Sequence, residues 1–208
     1  SKLIHGGLRY LELYAFRLVA EALAEREVLL KMAGHLVWPA RFVMPHVPEL
    51  RPRWMIRAGL FLYDHLGGLA PALGSRRTSL PGSMGVRLDV PPYNSGLQPR
   101  LRHGFIYSDC RVDDARLVVE NASDARARGA RVLTRTECVS ARREQGMWLA
   151  DLSSGERVAA TAVVNAAGPW VKTVLNARLQ QPSRDAVRLV KGSHIVLPKL
   201  YEGEHAFI

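Results

Sequence analysis

The segment best suited to chemistry opens the chain: Lys2-Leu3-Ile4-His5-Gly6-Gly7-Leu8-Arg9-Tyr10-Leu11. Two adjacent glycines ahead of a helical pattern let backbone pass close to a ligand, and amides at a helix start suit an anion or the edge of an electron-rich ring. His5 and Arg9 then stand where they can face one ligand. A tight turn before a helix, with Arg9 solvated, has the same sequence pattern.

Three further segments carry weaker signals. In Val163-Val164-Asn165-Ala166-Ala167-Gly168-Pro169-Trp170, an apolar strand runs into small residues and then a helix. That order puts backbone amides at the carboxyl end of a sheet, where α/β folds bind ligands, although a plain strand-to-helix connection has the same form. Asp109, Asp113 and Asp114 form an acidic cluster in a basic chain. Their spacing is not that of a calcium loop, no metal is expected, and the last two are placed to cap a helix. Lys191-Gly192-Ser193 matches part of a phosphate-binding signature but lacks its upstream glycine and leads into a strand pattern.

The elements that must position these residues follow from periodicity. Leu11, Ala15, Leu18, Ala22 and Leu29 recur at helical steps, with Glu21, Glu25 and Arg26 between them, so an amphipathic helix is expected over 8–32, ending at Gly34. Leu36 to Val43, interrupted by Pro39, reads as an edge strand. Trp54 to Leu66 reads as a second helix, and Gly67 to Gly104 as an irregular excursion with one or two strands, where an internal boundary would fall. Ala115 to Arg128 reads as a helix closed by Gly129. Strands are expected at 131–136, 139–143, 147–152, 158–165 and 187–197, the second and third forming a hairpin, with a helix from Pro169 to Leu179. Helices interleaved with strands and at least one hairpin give an α/β or mixed α+β fold.

Composition narrows the class without choosing a function. The chain has 208 residues, 48% of them hydrophobic, enough to bury a core. Cys110 and Cys138 lack metal-ligand spacing and are too few for a disulfide scaffold, which suits a reducing compartment. No apolar run reaches the roughly 18 to 20 residues of a membrane span. The net charge of +10 can attract nucleic acid, anionic lipid or a phosphorylated substrate, but the arginines are spread along the chain without interleaved aromatics, so no nucleic acid is expected. The first residue is Ser1 and the last, Ile208, falls in a strand-like pattern, which reads as an internal fragment of a longer protein.

Taken together, Ser1 to Leu11 (SKLIHGGLRYL), Arg77 to Gly82 (RTSLPG), Tyr107 to Leu117 (YSDCRVDDARL), Leu133 to Thr136 (LTRT), Asn165 to Val171 (NAAGPWV) and Lys191 to Val196 (KGSHIV) resemble, in order, the aerobic, respiratory FAD-dependent glycerol-3-phosphate dehydrogenases. The resemblance implies a flavoprotein that oxidises sn-glycerol 3-phosphate to dihydroxyacetone phosphate and passes the electrons to quinone at the membrane. It implies residues 1–66 and 104–180 in an FAD-binding domain, 67–103 as an excursion, and 181–208 as the start of a substrate-binding domain. Ser1, Lys2, Leu3, His5, Gly6 and Gly7 would run beside the flavin ring. Ala166, Ala167, Gly168 and Trp170 would approach its nucleotide portion, and Val139 its adenine side. Arg9 and Tyr10 would reach the substrate, Arg9 because a guanidinium fork matches phosphate oxygens. His5, by its ordinary pKa, is the candidate to take the hydroxyl proton, with a packing role against the flavin as the other reading.

The resemblance also implies a cytoplasmic enzyme, peripheral at the inner membrane. A sheet edge bared by excision would invite a homodimer. The chain departs from the pattern in one respect: no GxGxxG turn, whose helix amides hold a pyrophosphate, occurs in it, so the fragment alone is expected to be inactive. The remaining alternatives are a related flavin oxidase using oxygen and a non-catalytic basic module binding anionic lipid or nucleic acid.

Overall fold

The computed structural model describes residues 2–69, 78–184 and 186–208; Ser1 and Arg77 lie outside them. The chain divides into two compact units, residues 1–124 with 197–208 and residues 125–196. The division therefore falls within a helix near residue 124 and again near 196, and not in 67–103.

The first unit is built on a five-stranded sheet. In chain order it comprises β1 (Leu3–Ile4), a 3-10 helix (Leu8–Leu13), α1 (Phe16–Met32), β2 (Val37–Pro45), α2 (Arg53–Leu66), β3 (Met84–Arg87), β4 (His103–Val112), α3 (Asp114–Ala127) and, from the chain's end, β8 (Ala206–Phe207). β4 is central: β2 runs antiparallel along one side of it, while β3 and β1 share the other, pairing at His103–Ile106 and at Cys110–Arg111. β8 pairs parallel with β2 at Phe42 and Val43.

The register explains how Pro39 sits in a strand. The bonds from the Asp113 amide to the Leu36 carbonyl and from the His46 amide to the His103 carbonyl make the even-numbered residues of β2 the hydrogen-bonded pairs with β4. Pro39 and Pro45 are odd, so the N–H each lacks would point away from β4, and no ladder bond is lost.

Side chains alternate along β4. Phe105 and Tyr107 face the apolar cluster of Val19, Ala20 and Leu23 from α1 and Leu60, Tyr63 and Leu66 from α2, whereas Ile106 packs with Val43 and Leu88. Each such side chain contributes about 1.5–3 kcal/mol when fully buried.

The expected 8–32 helix is two elements. Tyr14 adopts φ 55°, a left-handed conformation that interrupts the helix, and the 3-10 turn before it is separate from α1. The buried face also differs from expectation: Val19, Ala20, Leu23, Ala24, Arg26 and Glu27 are buried, while Leu18 is 49% exposed. The expected helices at 54–66 and 115–128 form within a residue or two, and Asp113 caps α3 by accepting from the Arg116 amide at 3.1 Å.

The second unit is a three-stranded antiparallel meander, β5 (Cys138–Glu144), β6 (Met147–Leu152) and β7 (Arg157–Ala160). The β5–β6 hairpin turns through Gln145 and Gly146, both at positive φ, as a tight two-residue turn requires. Beyond β7, the chain from 161 to 167 is irregular, and the expected 158–165 strand ends at Ala160. A helical stretch follows, with a 3-10 turn (Gly168–Trp170), one α-turn (Val171–Thr173) and a π-turn (Val174–Arg178). The expected strands at 131–136 and 187–197 are not formed. Neither segment has a ladder neighbour among the described residues, and extended chain without one leaves its amides to solvent.

Candidate functional site

The opening loop is fixed by a buried polar network that the sequence reading did not find. Asp109, odd-numbered on β4, points its carboxyl towards α1 and α2. There it accepts from Arg26 Nη1 at 2.7 Å, and the Tyr63 hydroxyl lies 2.9 and 3.0 Å from its two oxygens. The same Arg26 nitrogen donates to the Ser108 carbonyl, while Nη2 donates to Glu27 at 3.1 Å and to Thr78 Oγ1 at 2.9 Å. Glu27 accepts further from Thr78 Oγ1, the Ser79 amide and Ser79 Oγ. Arg26, Glu27 and Asp109 are all buried, so each charge depends on these partners.

The electrostatics follow the burial. Burial opposes ionisation of Glu27, yet the donors from Ser79, Thr78 and Arg26 hold its carboxyl below the ordinary value. Burial raises Asp109 against the pull of Arg26, and burial together with neighbouring Asp109 raises the Tyr63 phenol. Tyr63 therefore keeps its proton at any physiological pH. Burial pushes the neighbouring Cys110 thiol up to about 11, an inert structural cysteine.

Tyr63 carries the network to the candidate residues. Its hydroxyl accepts from the Gly6 amide at 2.8 Å. Gly6 has no room for a side chain, since a Cβ would lie 2.3 Å from Leu23 Cδ2 and 2.7 Å from the Tyr63 hydroxyl. Gly7, at φ 72°, lies under the Tyr10 ring and donates its amide to His5 Nδ1 at 3.0 Å. The Gly6 and Gly7 amides are thus both spent inside the protein, which corrects the expectation that they serve a ligand. With Nδ1 accepting, the neutral His5 ring carries its proton on Nε2. His5, Lys2, Leu3, Arg9 and Tyr10 are exposed.

Arg9 lines a cleft of about 420 Å³ between the 3-10 helix and α2, together with Leu8, Leu11, Met44, Met55 and Ile56. His5 and Tyr10 do not line it. At its rim Arg51 pairs with Glu12 at 3.2 Å. The acidic cluster of the sequence reading is dispersed: Asp109 is buried on Arg26, Asp113 caps α3, and Asp114 pairs with Lys2 at 2.5 Å.

The second unit holds the remaining candidates. Asn165 ties its own turn, donating to the Val171 carbonyl at 2.8 Å and accepting from the Ala167 amide at 3.3 Å. Gly168 has φ 54° and no atom within 4 Å of where a Cβ would stand. Ala166, Gly168 and Trp170 are exposed, Ala167 is half-buried, and Val139 is 44% exposed on β5. Small, exposed residues at an open turn suit close approach by a flat or phosphorylated group. In the first unit, the His5 imidazole edge, held by the Gly7 amide, suits the rim of an aromatic ring system. Each set on its own suits one part of a flavin nucleotide, the opening loop a ring edge and the Ala166–Gly168 turn a phosphorylated group, and a glycine turn for the pyrophosphate does not occur in this sequence.

The sequence signals for Gly6 and Gly7 were visible, but that for Tyr63 was not: a tyrosine within an apolar helix has no local mark of a polar role. Arg26 looked like a solvated position between apolar residues, and only its placement opposite Asp109 shows otherwise.

Comparison with known proteins gives the family. The family model described as FAD dependent oxidoreductase matches residues 1–207. Over its whole length the chain is 59% identical to a glycerol-3-phosphate dehydrogenase of Pseudomonas aeruginosa, of which it covers 39%. It is 55% identical to the aerobic glycerol-3-phosphate dehydrogenase of Escherichia coli and 51% identical to the D-erythritol 1-phosphate dehydrogenase of Brucella abortus, covering 40% and 41% of them. The chain thus spans about two fifths of the length of these relatives. Among solved structures, a glycerol-3-phosphate dehydrogenase from Bacillus halodurans complexed with FAD aligns with 85% of this chain and 27% of that one, at 24% identity and a TM-score of 0.48. Matched from end to end by the family model, the chain belongs to the FAD-dependent oxidoreductases.

Proposed function

We propose that this chain is part of a glycerol-3-phosphate dehydrogenase that oxidises sn-glycerol 3-phosphate to dihydroxyacetone phosphate. The observation that carries the reading is end-to-end likeness, at 59% and 55% identity, to two proteins of that name. Bound FAD supplies the acceptor for hydride from the substrate's carbinol carbon. Lys2 to Gly7 border the flavin ring, with Ser1 ahead of them, while Ala166 to Gly168, Trp170 and Val139 approach its nucleotide portion.

The protein's own groups orient and exclude. Arg9 holds the substrate phosphate through its fork of N–H donors, with Tyr10 beside it. His5, with Nδ1 occupied by the Gly7 amide, presents Nε2–H. In that tautomer it donates a hydrogen bond at the reacting centre, and it can act as the base only after the Gly7 bond is released. Quinone is the electron acceptor and the parent enzyme is peripheral to the membrane; no helix among the described residues is long and apolar enough to cross one. The bare edges of the sheets favour a homodimer.

The relative named for D-erythritol 1-phosphate favours a second substrate, because both compounds are phosphate monoesters of polyols. The full-length enzyme assayed with each, using a quinone analogue and then oxygen, separates these readings. Glycerol 3-phosphate is expected to give the higher kcat/KM, and Arg9→Ala to lower it on the order of tenfold to a hundredfold through loss of a charge-assisted contact. A preference for the longer polyol reassigns the substrate, and a protein without flavin absorbance overturns the reading.

A further inference from the structure

We propose that Tyr63, held by Asp109 and Arg26, is a positioning residue that sets the His5–Gly7 loop against the flavin. The inference rests on the proposed placement of that loop beside the cofactor.

The direction of the bonds assigns the parts. The Gly6 amide can only donate, so the Tyr63 oxygen accepts, and the hydroxyl hydrogen has Asp109 as its acceptor. Donation to a carboxyl paired with a guanidinium makes the tyrosine oxygen a better acceptor, because successive bonds in a chain polarise one another. Arg26 holds Asp109 from the other side at 2.7 Å and is itself tied to Glu27 and Thr78. Side chains from α1, α2 and β4 therefore converge on one backbone amide of the opening loop.

Packing reinforces the bond. Leu23 and the Tyr63 hydroxyl occupy the space where a side chain on Gly6 would go, so the loop is seated directly on α1 and α2. One residue before Gly6 stands His5, and one residue after it Gly7, whose amide fixes the His5 ring. Any shift of Gly6 is therefore transmitted to the imidazole edge. Loss of the Tyr63 hydroxyl removes the 2.8 Å acceptor that seats the Gly6 amide and leaves it only the Asp109 carboxylate behind, so the loop must shift towards Asp109 to keep its amide paired.

The test uses the flavin-loaded full-length enzyme with three variants. Tyr63→Phe is expected to keep the fold, with melting lowered by a few degrees, to shift the flavin absorbance spectrum, and to lower kcat about tenfold to a hundredfold, as a displaced reacting group does. Asp109→Asn keeps the shape but removes the charge, and is expected to give the same spectral shift with a larger loss of stability. It also serves should Tyr63→Phe not fold. His5→Ala reports separately on whether the loop borders the flavin. If His5→Ala shifts the spectrum while Tyr63→Phe changes only melting, the positioning role is overturned and the site assignment stands. If neither shifts the spectrum, the placement of the loop falls, and the positioning role with it.

Discussion

In the unit formed by residues 1–124 and 197–208, the polar side chains of Arg26, Glu27, Ser108 and Asp109 lie under the surface. In the 125–196 unit the reverse holds: Val164, Val190 and Val196 are 87%, 81% and 98% exposed, and Ala141 and Leu179 are the buried hydrophobics among the described residues. The difference lies in strand neighbours. β4 has ladder partners on both sides and helices over one face, so its span from Gly104 to Cys110 is covered, polar or not. The chain at 187–197 is equally strand-like in composition but has no ladder partner among the described residues. Burial follows partners as much as it follows hydrophobicity.

The contrast breaks most readily at Arg26. Arg26→Met should destabilise the first unit by about 3–5 kcal/mol in chemical denaturation, because Asp109 and Glu27 would be left buried without their guanidinium. In the second unit, Arg131 pairs with Glu156 at 2.7 Å in solvent, and Arg131→Ala should leave the transition unchanged. Equal effects of the two substitutions would show that burial does not separate these ion pairs.

Glycine gives a smaller contrast. Gly6→Ala must push Leu23 and Tyr63 aside and should cost about 1–3 kcal/mol by overpacking. Gly168→Ala meets nothing within 4 Å and carries only the strain of φ 54°, so about 1 kcal/mol is expected. Thermal denaturation of both variants ranks them, and a costlier Gly168→Ala would place a neighbour where the structure shows open space.

The smallest expected effect is on pH. Arg157, Ser140 and Arg142 hold the Asp151 carboxyl down at about 2, from an ordinary 3.8. A depressed carboxyl contributes stability that is complete above its unfolded value and lost as pH falls through its folded one. The hairpin should therefore hold down to pH about 4 and loosen between about 4 and 2, followed by amide exchange of β5 and β6. Asp151→Asn should flatten that dependence, and an unchanged profile would assign the acid transition to other groups.

Local chemistry made part of this legible in advance. The Gln145-Gly146 turn, the Asp113 cap and the α2 span follow from short-range rules, and the structure has them where the pattern put them. The break at Tyr14 was not legible, since apolar residues continue at helical spacing across it and only the left-handed residue divides them. The candidate site was legible in the same partial way. His5-Gly6-Gly7 stood out as a segment, but not the fact that its amides turn inward.

By itself the sequence determined the family, because an ordered string of short segments spanning the chain is specific where each alone is not. It also determined the turns and caps, whose causes lie within a few residues. Only the tertiary structure decided which charges are buried and what holds the opening loop, because the hydrogen bonds joining Gly6, Arg26, Tyr63 and Asp109 link residues 46, 57 and 83 positions apart. No local pattern records a hydrogen bond between elements that distant; the register of β4 against β2 and the packing of α1 and α2 over it create that bond.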